Sequence, residues 1–152
     1  MFVAQFNISK ERYPLDHPIM NDFMDRLDPV NAVADDWDGF VWRLHDDSGN
    51  ATAIRAFDDD PTIIFNLSVW RSVEQLKVFV YQSAHAHVLR RRREWFEVIP
   101  ERSYVLWWVE EAHVPTLDEA KDRLWHLQKH GPSPYAFTFD RIPAVSSGSG
   151  DA

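Results

Sequence analysis

The chain has 152 residues, a formal net charge of −8, 45% hydrophobic and 26% charged residues, and no cysteine. That length supports one domain with a real core rather than two. The acidic balance is the wrong sign for gripping nucleic-acid phosphates, and without thiols there is no disulfide framework, thiolate nucleophile, iron–sulfur cluster or zinc–thiolate site. In chain order, Phe2 to Ile8 alternates apolar and polar and reads as a first strand. Tyr13 to Pro18 is a loop, because each Pro disfavours helix in the residue before it. A helix follows over Ile19 to Ala34, with Met20, Phe23, Met24, Leu27 and Val30 as its apolar stripe; Pro29 inside it predicts a kink or a break. After the acidic turn Asp35 to Gly39, Phe40 to His45 is a second strand, with Phe40, Trp42 and Leu44 on one face and Val41, Arg43 and His45 on the other. Turn signals at Asp46 to Asn50 and Asp58 to Pro61 bracket Ala51 to Phe57, a strand extension or an ordered loop across a sheet edge.

Ile63 to Phe96 is the stretch the rest serves. Ile63 to Trp70 is short and β-rich, hence a strand, with Ile64, Asn66, Ser68 and Trp70 on one face. Ser72 and Gln75 have capping-box spacing and open a long helix. Val73, Leu76, Val80 and Ala84 form one apolar stripe of it, and Val78, Tyr81, His85 and Leu89 a second. A helix apolar on two sides needs two coverings, the sheet and something else.

Pro100 closes that region, and Tyr104 to Val109 is a further strand with Trp107 and Trp108 on opposite faces. Thr116 to Glu119 is a second capping box, opening a helix through Lys129 that stops at Gly131 and Pro132. Tyr135 to Phe139 is a short last strand. Residues 1–143 thus form a single α+β domain, and 144–152 a Ser/Gly-rich tail expected to be disordered. The order is that of a ferredoxin-like antiparallel sheet with helices on one face. Its strands carry large apolar residues on both faces, so two such sheets packing face to face, a homodimer, is the economical cover. No run reaches about 18 apolar residues, so no membrane partner is expected. MFVAQFNIS lacks the features of a signal peptide, which points to a cytoplasmic protein.

Several clusters resemble the bacterial DUF3291 family of unknown function: Ala4-Gln5-Phe6-Asn7, Gly39-Phe40-Val41-Trp42-Arg43-Leu44, Asn50-Ala51-Thr52, Ser68-Val69-Trp70-Arg71-Ser72, Ala84-His85, Arg91-Arg92-Arg93-Glu94-Trp95-Phe96, Leu106-Trp107-Trp108 and His130-Gly131-Pro132. The resemblance implies the dimeric α/β-barrel superfamily, alongside the antibiotic-biosynthesis monooxygenases, and supplies no settled activity. The haem-degrading monooxygenases of that superfamily are similar in a strand Asn (here Asn7), a Val-Trp-x-Ser junction (Val69 to Ser72) and an Ala-His-x-x-Val segment (Ala84 to Val88). There the Asn, a helix Trp and the His form the site, with the His as axial iron ligand. Phe79 stands where that Trp is expected, and the helix before His85 is several residues shorter.

His85 is the leading candidate for chemistry, as a base near neutral pH or, if haem binds, as the iron ligand. His87 lies about 200° away on a helix, so the two should not share a metal. Asn7 and Tyr81 join His85 as candidate catalytic groups. Trp42, Arg43, Asn66, Ser68, Trp70, Phe79 and Trp108 are candidates for lining a ligand pocket. Gln5, Asn7, Asn66 and Ser68 put polar groups on one face of central strands, which is costly unless they satisfy each other or line a wet or liganded cavity. The aromatics offer stacking walls for a planar apolar ligand, or simply pack a core. Arg90 to Arg93 cannot all point one way; they read as a solvated face paired with nearby carboxylates, or else one of them joins Arg43 in binding a carboxylate or a haem propionate. The aspartates do not fit an EF-hand loop, and no P-loop, dinucleotide fingerprint, nucleophile elbow or HExxH motif occurs. Three functions are therefore expected to compete: a monooxygenase acting on an aromatic or quinol-like substrate with no cofactor, a haem-binding protein, and a non-catalytic dimer.

Overall fold

The computed structural model describes residues 1–145; residues 146–152, which hold most of the expected tail, and the Ala84 side chain lie outside the described residues. Strand β1 (Phe2–Glu11) is central. It pairs antiparallel with β3 (Ile63–Trp70) on one side, and on the other with β5 (Tyr104–Val109) and the two-residue β4 (Phe96–Glu97). Strand β2 (Phe40–Arg43) lies beyond β3. The order β2-β3-β1-β5 in an open antiparallel sheet agrees with the ferredoxin-like α+β pattern. The register sets Gln5 opposite Ser68 and Leu106, and Asn7 opposite Asn66 and Tyr104. Since successive side chains alternate, all of these share one face, which we call the amide face.

The opposite face is apolar throughout: Ala4, Phe6, Phe65, Leu67, Val69, Val105 and Trp107 belong to one buried cluster. The chain covers it by itself. Helix α5 (Leu117–His130) lays Ala120, Leu124 and Leu127 against it, and Ala56, Ile54 and Phe57 from the segment between β2 and β3 complete the cover. This corrects the expectation of helices on one face only. The stripe on α5 needed a sheet surface of its own, and finding it removes the exposed face on which the face-to-face dimer rested. Its ends match the sequence reading: Thr116 Oγ1 accepts from Glu119 N at 3.1 Å, and Gly131 closes the helix at φ +80°.

The amide face is covered by α1 (Asn21–Asp35), α2 (Val73–Gln82), α3 (Ala84–Arg90) and α4 (Arg92–Trp95). Helix α1 runs through Pro29 unbroken; burial of Phe23 and Ala34 on either side of it offsets the missing hydrogen bond. The long helix expected after Ser72 is instead three pieces. Ser72 caps the first as expected, its Oγ accepting from Gln75 N at 3.1 Å. Gly39 sits at φ +94°, where a Cβ would fall within 2.4 Å of the Gln75 side chain. Ser83 breaks the helix: its backbone is extended, its hydroxyl donates to Phe79 O and accepts from His85 N at 3.1 Å, so it ends one helix and caps the next. Phe79 is buried with Val73 and Leu76, while Val78 and Tyr81 are exposed.

A β-bulge at Val41 changes the facing of β2. Phe40 pairs with Trp70 and Arg43 with Ser68 on the amide face, and Trp42 pairs with Val69 and packs into the opposite cluster. The expected last strand reduces to one bridge, Leu106 with Phe137, closed by backbone hydrogen bonds of 2.8 and 2.9 Å. Among the described residues, no helix is long and apolar enough to cross a membrane.

A candidate ligand cavity on the amide face

Two apolar clusters cover the ends of the amide face. Val3, Trp70, Leu76, Phe79 and Leu106 meet at one end; Met20, Phe23, Ile64, Trp95 and Phe96 meet at the other. Between them lie Gln5, Asn7, Asn66 and Ser68. Pressing apolar helix residues onto four amide and hydroxyl groups would strand their hydrogen bonds at roughly 1–3 kcal/mol each. The helices stand off there instead, leaving a cavity of about 550 Å³ between the sheet and α1 to α4. That is a size in the range of small-molecule sites.

The floor is partly satisfied. Gln5 Nε2 donates to Asn66 Oδ1 and to Ser68 Oγ (2.7 Å), and Trp70 Nε1 donates to the same Ser68 Oγ at 2.9 Å. Ser68 therefore has both lone pairs engaged and one proton left to give. Asn7 is half-buried and its amide has no side-chain partner among the described residues, so it can offer both a donor and an acceptor. The wall is aromatic. Trp70 and Phe79 lie tilted with centroids 5.1 Å apart, Phe40 meets Trp70 edge-on at 5.4 Å, and Trp37 meets Phe79 at 5.7 Å.

His85 enters this wall because of the break at Ser83. Its ring stands 5.3 Å from Phe79, and its Nδ1 lies 3.4 Å from Val80 O. A carbonyl oxygen only accepts, so Nδ1 carries the proton and Nε2 keeps a free lone pair. Burial disfavours the charged ring and holds its pKa below the ordinary histidine value; the Val80 carbonyl pulls weakly the other way. The result is a neutral imidazole near pH 7, with an acceptor nitrogen available to a base or a ligand role.

The family described as "Domain of unknown function (DUF3291)" matches residues 2–150. The chain belongs to the DUF3291 family. No curated protein and no solved structure matches it.

In this DUF3291 chain His85, Asn7, Arg43, Asn66, Ser68, Trp70 and Phe79 line the cavity, with Tyr81 at its edge, half exposed and 5.9 Å from Phe139. Two expected lining residues do not. Trp42 is carried to the other face by the bulge, and Trp108 packs on Phe137 at 5.3 Å outside the cavity. Arg43 is at the wall but already engaged: Nε and Nη2 grip both Asp35 oxygens at 2.7 and 3.1 Å, and Nη1 donates to Gly49 O at 2.6 Å. It ties β2 to the end of α1, so a ligand carboxylate would have to displace Asp35. Arg91 pairs with Glu94 at 2.8 Å and Asp22 at 2.5 Å and lies over Trp95, as a solvated paired face should. Arg26 and Asn31 line the cavity unforeseen, although the position of Arg26 one turn before Val30 on the α1 stripe was a usable signal; Arg92 lines it as well, one of the four arginines expected either to form a paired face or to join Arg43 at an anion. Among the described residues no three His, Cys, Asp or Glu gather as a metal site.

The depressed pKa of His85 fixes a pH dependence. In the unfolded chain a histidine protonates near pH 6.5, and in the folded chain it does so lower. Between those values the unfolded state binds more protons, so the contribution of His85 is complete above about pH 6.5 and declines as pH falls below it. Urea unfolding from about pH 7.5 down to pH 5 should show wild type losing more stability than His85→Gln. Parallel pH profiles would show that the ring is solvated.

Proposed function

We propose that the protein binds a planar, largely apolar small molecule in the cavity on its amide face. The observation that carries this is the gap in packing: a polar floor with unspent hydrogen-bonding groups, faced by the Trp70–Phe79 wall and by the acceptor nitrogen of His85. A folded domain that only needed a core would have filled that space with apolar side chains on both surfaces. Within this reading, monooxygenase chemistry is the finer assignment, in keeping with the antibiotic-biosynthesis-monooxygenase-like superfamily that the sequence resembles. His85 Nε2 would take the hydroxyl proton of a phenolic or quinol-like substrate, making the ring electron-rich toward dioxygen, while Asn7 and Ser68 hold its oxygens and Tyr81 covers the edge. Oxygen uptake with hydroquinones should then fall about 100-fold or more in His85→Ala. Equal rates in the two proteins would take catalysis away from His85.

Haem is the second reading, favoured by one feature: a neutral imidazole with its Nε2 lone pair free at an aromatic wall would suit a haem-iron ligand. Bound haem would bring its own oxygen chemistry; the chain would supply His85 as ligand and Trp70 and Phe79 as cover. Haemin titration separates the readings, since a Soret shift in wild type that His85→Ala abolishes belongs to haem alone.

A further inference from the structure

We propose that the ligand of this cavity carries an anionic oxygen group, a carboxylate or a phosphate, seated against Arg92 and Arg26 where α1 meets α4. The inference rests on the ligand-binding reading above and adds the charge of the ligand and its direction of entry. The chain is strongly acidic, with 24 Asp and Glu against 16 Lys and Arg, yet the cavity is lined by three arginines and by no Asp or Glu. Arg43 is neutralised by Asp35. Arg26 has only a share of one carboxylate, that of Asp22, which Arg91 also takes, and Arg92 has none among the described residues. Arg26 Nε is buried without a hydrogen-bond partner among the described residues, its nearest carboxylate oxygen, Asp22 Oδ1, standing 3.5 Å away. The second oxygen of Asp22 is held by Arg91 at 2.5 Å, and Arg91 also takes Glu94. Arg92 gives one N–H to Leu89 O at 2.8 Å and has no carboxylate within ion-pair distance among the described residues.

The junction thus sets three guanidinium groups, of Arg26, Arg91 and Arg92, against two carboxylates, of Asp22 and Glu94. One positive charge is left over, and the two arginines with unfilled N–H groups are those on the cavity lining. A guanidinium fork is matched by a planar or tetrahedral oxyanion; Arg26 presents a buried Nε and Arg92 is solvent-exposed at the rim, in a lining that includes the apolar Phe23, Val88 and Phe96. At the far end Trp70 and Phe79 offer only an apolar wall. The ligand that satisfies both ends is an aromatic body with one acidic head.

A matched pair of dyes tests this: anilinonaphthalene sulfonate and phenylnaphthylamine share one ring system and differ by the anionic group. Titrated into wild type and followed by fluorescence, the sulfonate should bind about tenfold or more tighter than the neutral dye. Arg92→Gln and Arg26→Gln should each weaken the sulfonate by a similar factor and leave the neutral dye unchanged, and Arg92→Lys should restore part of the loss. Asn7→Phe, which fills the floor, should abolish both. Naphthoate and naphthyl phosphate as competitors then tell which head group fits better. If both dyes bind, Asn7→Phe excludes both and the arginine variants change nothing, the cavity stands and the anionic head is wrong. If neither dye binds, or Asn7→Phe has no effect, the cavity reading fails and takes this inference with it.

Discussion

Leu124→Asp is expected to abolish cooperative folding rather than to release a subunit. Leu124 is 3% exposed and lies on α5 between Ala120 and Leu127, against Ala4, Phe6 and Trp107 of the sheet. Deleting such a side chain costs about 2–5 kcal/mol, and an unpaired carboxylate in its place adds several more. The whole stability of a domain this size is about 5–15 kcal/mol. Far-UV circular dichroism on heating should therefore show a collapsed or absent transition, Leu124→Ala should show a clear but smaller loss, and Trp125→Ala, one residue on at an exposed position, should stay within about 0.5 kcal/mol of wild type. The competing architecture leaves that sheet face to a second copy. It requires the variant to keep its wild-type melting behaviour while its mass in solution halves, and that result would show α5 is not the layer that closes the core.

The strands were legible in the sequence because their signal is local. Period-two alternation in Phe2 to Ile8, Ile63 to Trp70 and Tyr104 to Val109 sets which residues share a face, and the register in the structure keeps Gln5, Asn7, Asn66 and Ser68 together. The caps at Ser72 and Thr116 were legible for the same reason. Facing and layering were less so. Nothing near Leu117 to His130 says which side of the sheet that helix takes, since the choice depends on which surface is still bare after the others have packed. The extra residue at Val41 turned Trp42 away from the face its alternation implied, because a bulge has no strong signature beyond the nearby Gly39. Ser83 broke a helix whose apolar periodicity ran on through it, and that break is what points His85 at Phe79. The cavity itself was half legible. Four polar residues on a central face announced it, and the run Arg90 to Arg93 offered an anion-binding arginine, but that Arg92 and Arg26 are the ones on the lining could not be read, because arginines in helices are ordinarily solvent-facing.

Trp70→Ala should be the most damaging single truncation on the amide face, at about 3–5 kcal/mol. Trp70 is 2% exposed, packs between an edge-on Phe40 and a tilted Phe79, and gives its Nε1 proton to Ser68 Oγ. It is both the end wall of the cavity and the keystone of the apolar cluster with Val3, Val73 and Leu106. Trp70→Phe separates these roles. It keeps the ring wall and most of the packing but leaves Ser68 without one donor, which costs roughly 1 kcal/mol. Urea denaturation of the two variants should therefore differ by several-fold in lost stability, whereas dye titration should find Trp70→Phe still binding the neutral aromatic probe. A Trp70→Ala protein that unfolds at the wild-type urea concentration would mean the cluster around it is already loose, and a cavity bounded by loose side chains has no fixed wall against which to hold a flat ligand.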